Sequence, residues 1–183
     1  MLVAADVDYK NELYRKNLNS LVKTIESALG LSGADVPREV CRALQTSFAP
    51  GDWLTPEQHE GRETAYTRHL VYEDPEGRFT IVSLVWNPGQ ASPIHAHYVW
   101  CALTIIEGIL QEEFYTFNQK IETVTFESAH QRKNLDGSHG LPDTKQYHRI
   151  SNSTGDRAVS VHVYGIDGGR VSTNVNRIFK DAK

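Results

Sequence analysis

Cysteine is scarce in this chain: there are two among 183 residues, Cys41 and Cys101. Two thiols cannot build a disulfide framework, and each falls in a context that reads as core or pocket. A stapled secreted domain is excluded, and a reducing, cytoplasmic setting is expected. Long hydrophobic runs are missing too. The start has five apolar residues, Met1 to Ala5, and then acquires charges, short of the roughly 7–15 apolar residues of a secretory leader. No run approaches the roughly 18 residues that would cross a bilayer. Charge of one sign is not in excess either. Nineteen basic residues against 23 acidic ones leave a formal −4, and the basic ones are scattered. That removes the electrostatic footprint of a nucleic-acid binder, so neither nucleic acid nor a membrane is expected as a partner.

Internal repeats, low-complexity tracts and linkers are absent as well. With 39% hydrophobic and 23% charged residues the composition is globular, and the length suits one domain over residues 1–183. That domain divides into a helical segment, residues 1–52, and a β segment, residues 53–183. From Asp8 to Leu29 the apolar residues Leu13, Leu18, Leu21, Val22, Ile25 and Leu29 recur at three- and four-residue steps, predicting an amphipathic helix that ends at Gly30. A second helix has Pro37 in its first turn and a stripe of Val40, Cys41 and Leu44. Both are expected to cover one face of the β segment.

After Trp53 the period changes to 2. Strands are predicted at Tyr66–Tyr72, Phe79–Trp86, Trp100–Ile106, Ile109–Phe117, Lys120–Phe126, His148–Ser151 and Ala158–Tyr164, with Gly-, Pro- and Asn-bearing turns between them. Short, regularly spaced strands point to a β-sandwich or small barrel. Glu127 to Gln146 is polar enough to read as a long surface loop beside the site.

The informative stretch runs from Gly89 through Pro93, His95, His97 and Cys101 to Gly108. Histidines two residues apart on a strand point to the same face, so both rings can reach one metal ion. Alone, such a pair fits two surface histidines, or a satisfied core histidine, equally well. The frame around it resembles the first cupin motif, G-x5-H-x-H-x3-E-x6-G, at every fixed position except Cys101, which stands where cupins usually have a ligand Glu. The second cupin motif ends in H-x3-N, and His148 to Asn152 supplies it. The resemblance implies a mainly β cupin, a jelly-roll-like barrel with N-terminal helices packed on it. It also implies a metal site of three neutral histidines, His95, His97 and His148.

Within cupins the chain resembles the thiol dioxygenases of the cysteine dioxygenase type. Four segments carry the likeness: Tyr66 to Val71 with Arg68, Ser92 to His97, His148 to Asn152, and Ser160 to Tyr164 with His162. The resemblance implies that His95, His97 and His148 hold Fe(II), that Arg68, with Tyr66 beside it, grips the substrate carboxylate, and that Ser160, His162 and Tyr164 form a hydrogen-bonded relay. The chemistry of these residues agrees. Three protein ligands leave open positions where thiolate and O2 can meet, and a metal-bound thiol ionises well below the roughly 8.5 of a free one. A guanidinium suits a planar carboxylate, although a solvated strand arginine is the ordinary alternative for Arg68. The alternating row Ser160, His162, Tyr164 faces one side of a strand, where a relay or a structural network would both satisfy it. His162 is the rival to His148 as third ligand.

The substrate pattern is mixed. Arg68 resembles the cysteine-oxidising type, whereas Val99-Trp100 and the Tyr164-Gly165 ending resemble the type that oxidises 3-mercaptopropionate. Arg170, six residues past Tyr164, is either a second cation for a dicarboxylic thiol such as mercaptosuccinate or a surface residue. L-cysteine and mercaptosuccinate rank together, with 3-mercaptopropionate third. Cys101 lies four residues after His97, where family members that cross-link a cysteine to the relay tyrosine have a gap of five; a small buried hydrophobe is its other reading. Two readings from other classes stand beside these: a cupin isomerase or hydrolase with a different metal, and a non-catalytic cupin that senses a small acid. The expected partners are a small thiol carboxylate and O2, in a monomer or small homo-oligomer.

Overall fold

A computed structural model describes residues 4–171 and 173–179. The two ends of the predicted domain, at residues 1 and 183, lie outside the described residues. Two helices come first, α1 (Ala4–Ala28) and α2 (Val36–Phe48). Ten strands come after them: β1 (Thr67–Glu73), β2 (Thr80–Trp86), β3 (His95–His97), β4 (Cys101–Glu107), β5 (Leu110–Asn118), β6 (Thr123–Arg132), β7 (Gly137–Gly140), β8 (Asp143–Ser151), β9 (Ala158–Tyr164) and β10 (Asn176–Ile178). They form two five-stranded sheets in the orders β1-β2-β9-β4-β7 and β10-β3-β8-β5-β6. This is the mainly β, jelly-roll-like cupin expected from the sequence, with helices on one side. No described helix is long and apolar enough to cross a membrane.

Two layers of core explain why the central strands read as hydrophobic. β2 and β9 are buried along their whole length. One face, carrying Ile81, Ala102, Val161 and Val163, packs on Leu21, Ile25, Val40, Leu44 and Phe48 of the helices. The other, carrying Val82, Leu84, Trp86, Leu103 and Ile105, meets Leu110 and Ile150 of the second sheet. Each fully buried aliphatic side chain of this kind contributes about 1.5–3 kcal/mol. Because the helices cover the outer face, the inner face is free to carry functional groups: β9 turns Val161 and Val163 outward, and the alternation turns Ser160, His162 and Tyr164 inward.

The turn between β4 and β5 needs glycine. Gly108 has φ +72°, and a Cβ there would stand 2.6 Å from the Arg157 carbonyl oxygen. Only a residue without a side chain lets β4 turn back at this point.

One expectation is overturned. Glu127 to Gln146 is not a long loop: β6 runs on to Arg132, β7 spans Gly137–Gly140, and β8 begins at Asp143. β6 and β7 each lie at the edge of a sheet, and their residues are half-buried or exposed. An edge strand wetted on both sides shows no period-2 pattern. β10 was not expected either. Three residues in a polar stretch carry too little pattern, and its partner β3 is about 80 residues away in the chain.

Candidate active site

The register of β3 on β8 sets His95 opposite His148. His97, two residues on, projects from the same face. The three Nε2 atoms converge, with His95–His97 and His95–His148 at 3.1 Å and His97–His148 at 3.4 Å. The other ring nitrogens fix the tautomers. His95 Nδ1 lies 2.9 Å from the Pro93 carbonyl oxygen, and His148 Nδ1 lies 3.0 Å from Glu112 Oε1. A nitrogen facing either oxygen carries a proton, which turns the Nε2 atoms of both rings toward His97.

Such a cluster is satisfied by a cation. Nitrogens 3.1–3.4 Å apart can each sit about 2.0–2.1 Å from one ion, the usual length of a metal–imidazole bond. Among the described residues these histidines form a group able to hold a metal. Burial, reinforced by the neighbouring His148 ring, pushes His95 down to about 3. Burial, with the two neighbouring rings, takes His97 well below the usual histidine range. Both therefore present neutral donors at physiological pH.

Glu112 is a residue the sequence reading missed. It is buried on β5 and accepts from His148 Nδ1, Ser138 Oγ (3.0 Å) and Arg132 Nε and Nη2 (3.0 and 2.9 Å). Burial alone would raise its pKa, but these donors hold it below the usual carboxylate range. The signal was present in the alternation Leu110, Glu112, Phe114, which puts a carboxylate on the inward face of a strand.

Tyr66, Arg68, His95, His97, His148, His162 and Tyr164 line one recess between the sheets, together with Trp86, Ile150 and Asn176. Seven of the expected site residues thus come together, and Ser160 stands directly behind them. The recess is tight, with about 10 Å³ of free volume, and it shares His97 and His148 with a larger cleft of about 300 Å³ lined by Cys101, Leu103, Phe114 and Leu141. Tyr66 stacks on Trp86 with ring centroids 4.5 Å apart. Arg68 Nε is buried and bonds to nothing among the described residues.

The inner row of β9 is a chain of hydrogen bonds. An indole N–H can only donate. Ser160 Oγ accepts from Trp86 Nε1 at 3.0 Å and pairs with His162 Nε2 at 2.9 Å. His162 Nδ1 pairs in turn with the Tyr164 hydroxyl at 3.2 Å. The Tyr164 ring lies 5.8 Å from that of His97. Burial, with the Arg68 cation next, takes His162 down to about 3, and burial raises Tyr164 well above the usual phenol range. The relay is neutral and the phenol protonated at physiological pH. His162 has both nitrogens engaged in this chain and is not part of the converging group.

Two candidates stand apart. Arg170 is exposed in a short 3₁₀ turn, Gly168–Arg170, and does not line the recess. The Gly-rich turn that made it a candidate carries it outward to solvent. Cys101 is a free, buried thiol opposite Tyr164 in the β4–β9 register, and burial raises its pKa far above the usual range.

Two packed sheets with three imidazoles converging between them make a cupin with a group able to hold a metal. Cysteine dioxygenase type I is the family to which the chain belongs, since that family's model matches residues 35–166. The chain is 24% identical over 153 residues to cysteine dioxygenase type 1 of Bos taurus, covering 81% of this chain and 74% of that one. The corresponding protein of Danio rerio is 27% identical over 154 residues, with the same 81% and 74% covered. Among solved structures, an uncharacterized conserved protein with a double-stranded β-helix domain from Klebsiella pneumoniae aligns at 21% identity and a TM-score of 0.48, over 68% of this chain and 93% of that one. Membership makes this chain a dioxygenase of the thiol-oxidising kind.

The carboxylate behind His148 gives a first test. Glu112→Gln keeps the shape but loses the charge that holds the His148 proton on Nδ1. Metal affinity, measured by competition with a chelator, is expected to fall about 10- to 100-fold, the usual effect of losing such a partner. An unchanged affinity would make Glu112 a purely structural ion-pair residue.

Proposed function

We propose that this chain is a mononuclear non-haem iron dioxygenase that converts the thiol of a small mercapto-carboxylate to a sulfinate, RSH + O2 → RSO2H. The observation that carries the reading is the convergence of three imidazole nitrogens beside an arginine whose buried Nε has no partner among the described residues. Iron(II), when bound, supplies adjacent open positions for thiolate and O2 and lowers the thiol pKa. His95, His97 and His148 are its ligands in this reading. They suit iron or zinc by donor type, and the open positions suit oxygen chemistry.

The remaining roles belong to the chain. Arg68 holds the substrate carboxylate through its guanidinium fork, which fixes the distance from that carboxylate to the sulfur. Tyr66, stacked on Trp86, forms the wall beside it. Tyr164 donates its O–H to the substrate or to O2, and His162, held by Ser160, keeps the Tyr164 oxygen turned so that the proton faces inward. Leu84 and Ile150 exclude water from the same space. L-cysteine and mercaptosuccinate are the substrates considered first, with 3-mercaptopropionate third. The outward position of Arg170 removes the specific support for a dicarboxylate. A reducing cytoplasm, which keeps a free thiol substrate available and Cys41 and Cys101 unpaired, is the setting that fits.

Elemental analysis tests the ligand set. The protein is expected to hold one iron per chain, lost on changing His95, His97 or His148 to Ala and kept in His162→Ala. Iron kept by His148→Ala and lost by His162→Ala would reverse the third ligand. Oxygen uptake with a panel of small thiols tests the reaction, and a metal-loaded protein that consumes no O2 with any of them would be a sensor instead.

Two substitutions separate binding from turnover. Arg68→Ala should raise KM for the preferred thiol by about 10-fold or more with iron retained, as expected for losing one partner of a charged pair. Tyr164→Phe should leave iron content unchanged and lower kcat roughly 10²-fold, the usual effect of removing a positioned donor from a dry site. An unchanged KM in the first, or an unchanged kcat in the second, would remove that residue from the mechanism.

A further inference from the structure

His59 has no part in the roles above, yet it stands between two carboxylates. It ends a 3₁₀ turn, Pro56–His59, and only 16% of its side chain is exposed. Its Nε2 lies 2.9 Å from Oδ2 of Asp52, in the link after α2, and its Nδ1 faces Oε2 of Glu107, at the end of β4, at 3.4 Å. Arg157, one residue before β9, donates Nε and Nη2 to the two Glu107 oxygens at 3.0 Å each, and Nη1 to the His59 carbonyl at 3.2 Å. Four charged or titratable groups from separate parts of the chain thus meet around one imidazole.

A neutral imidazole has one N–H and one lone pair. Between two carboxylates that lone pair must face one of them, and Nδ1 is buried without a hydrogen bond among the described residues. A second proton lets both ends of the ring donate. It also makes the four groups neutral in sum, where the uncharged ring leaves them one negative charge. The hydrogen bond to Asp52 is the largest influence and raises the His59 pKa above the usual histidine value. Burial opposes it, the Asp52 and Glu107 charges add to it, and the Arg157 cation subtracts. On the other side of the turn the contacts need no such proton: Ser83 Oγ donates to the Gln58 carbonyl at 2.8 Å, and Gln58 Nε2 donates to the Leu70 carbonyl at 3.2 Å. Residues 61–65, which follow, are exposed and lead directly to Tyr66 and Arg68.

We propose that His59 is a proton-operated clasp: charged, it fastens the 52–65 segment to β4 and to the start of β9, and on losing its proton it lets that segment open locally. The device is separate from the metal group, and it acts on the stretch of chain that delivers Tyr66 and Arg68 to the recess. Its sign follows from the raised pKa. The stabilisation is complete below the unfolded value of about 6.5 and fades as the pH rises through the higher folded value.

Three measurements on the full-length chain test the clasp. Histidine titration by NMR, with the His59 signal identified by its absence from His59→Gln, should give a midpoint above the ordinary value, and Asp52→Asn should lower it. The wild type should exceed His59→Gln in Tm by roughly 2–4 °C at pH 6, and the gap should close by pH 9; the remaining histidines titrate in both proteins and cancel. Trypsin cleavage after Arg62, inside the segment, should be roughly threefold or more faster in His59→Gln than in the wild type at pH 6, and equal in the two at pH 9. If His59→Gln does not fold, Asp52→Asn carries the same Tm and cleavage comparisons, since its amide oxygen can still accept from the Leu54 N–H as Asp52 does. A His59 midpoint at or below the ordinary value overturns the proposal. A Tm gap or a cleavage ratio that is the same at both pH values overturns it as well, since either would mark His59 as a packing residue.

Discussion

Three imidazole nitrogens face one another in the middle of this protein, and much of the surrounding structure serves to keep them so. The Pro93 carbonyl and the Glu112 carboxylate each accept from the far side of a ring, which turns Nε2 of His95 and His148 inward. The β3–β8 register holds the rings of His95 and His148 together, and the three converging nitrogens form a group able to hold a metal. Glu112 itself is a buried charge, costly by several kcal/mol if left alone. Donors from His148, Ser138 and Arg132 offset that cost and tie β5, β6, β7 and β8 to one carboxyl group.

A second polar row crosses the same space from the other sheet. Trp86, Ser160, His162 and Tyr164 are joined by hydrogen bonds along β9, and the row ends at the Tyr164 hydroxyl beside the recess. Polar residues on the inner face of a central strand would destabilise an ordinary sandwich. Here they are tolerated because each is satisfied by the next, and because the outer face of that strand is sealed by α1 and α2. The helices, far from the chemistry, are what allow β9 to give its inner face to function.

Much of this was legible in the sequence because it rests on local alternation. His95 and His97 share a face by spacing alone, as do Ser160, His162 and Tyr164, and β9, which bears the second row, is central and strongly patterned. The third histidine could be placed only through a motif, since nothing local links His148 to a pair some 50 residues earlier; the register of β3 on β8 supplies the link. What failed was at the edges. β6 and β7 carry no hydrophobic alternation because both of their faces are wet, so they read as loop, and Arg170 looked available to the site because sequence distance from Tyr164 says nothing about which way a turn directs a side chain. Glu112 was missed for a related reason. A single Glu on an inward strand position becomes meaningful only when its neighbours across the sheet are known.

In the proposed function His95, His97 and His148 would hold an iron ion, which would supply the oxygen chemistry, and Arg68 would bind the thiol substrate's carboxylate beside it. Mass spectrometry of the product formed by the iron-loaded protein from a small mercapto-carboxylate under ¹⁸O2 tests it most directly. Both sulfinate oxygens are expected to carry the heavy isotope, with one O2 consumed per thiol. Disulfide as the product, or a sulfinate with an oxygen drawn from water, would contradict the account.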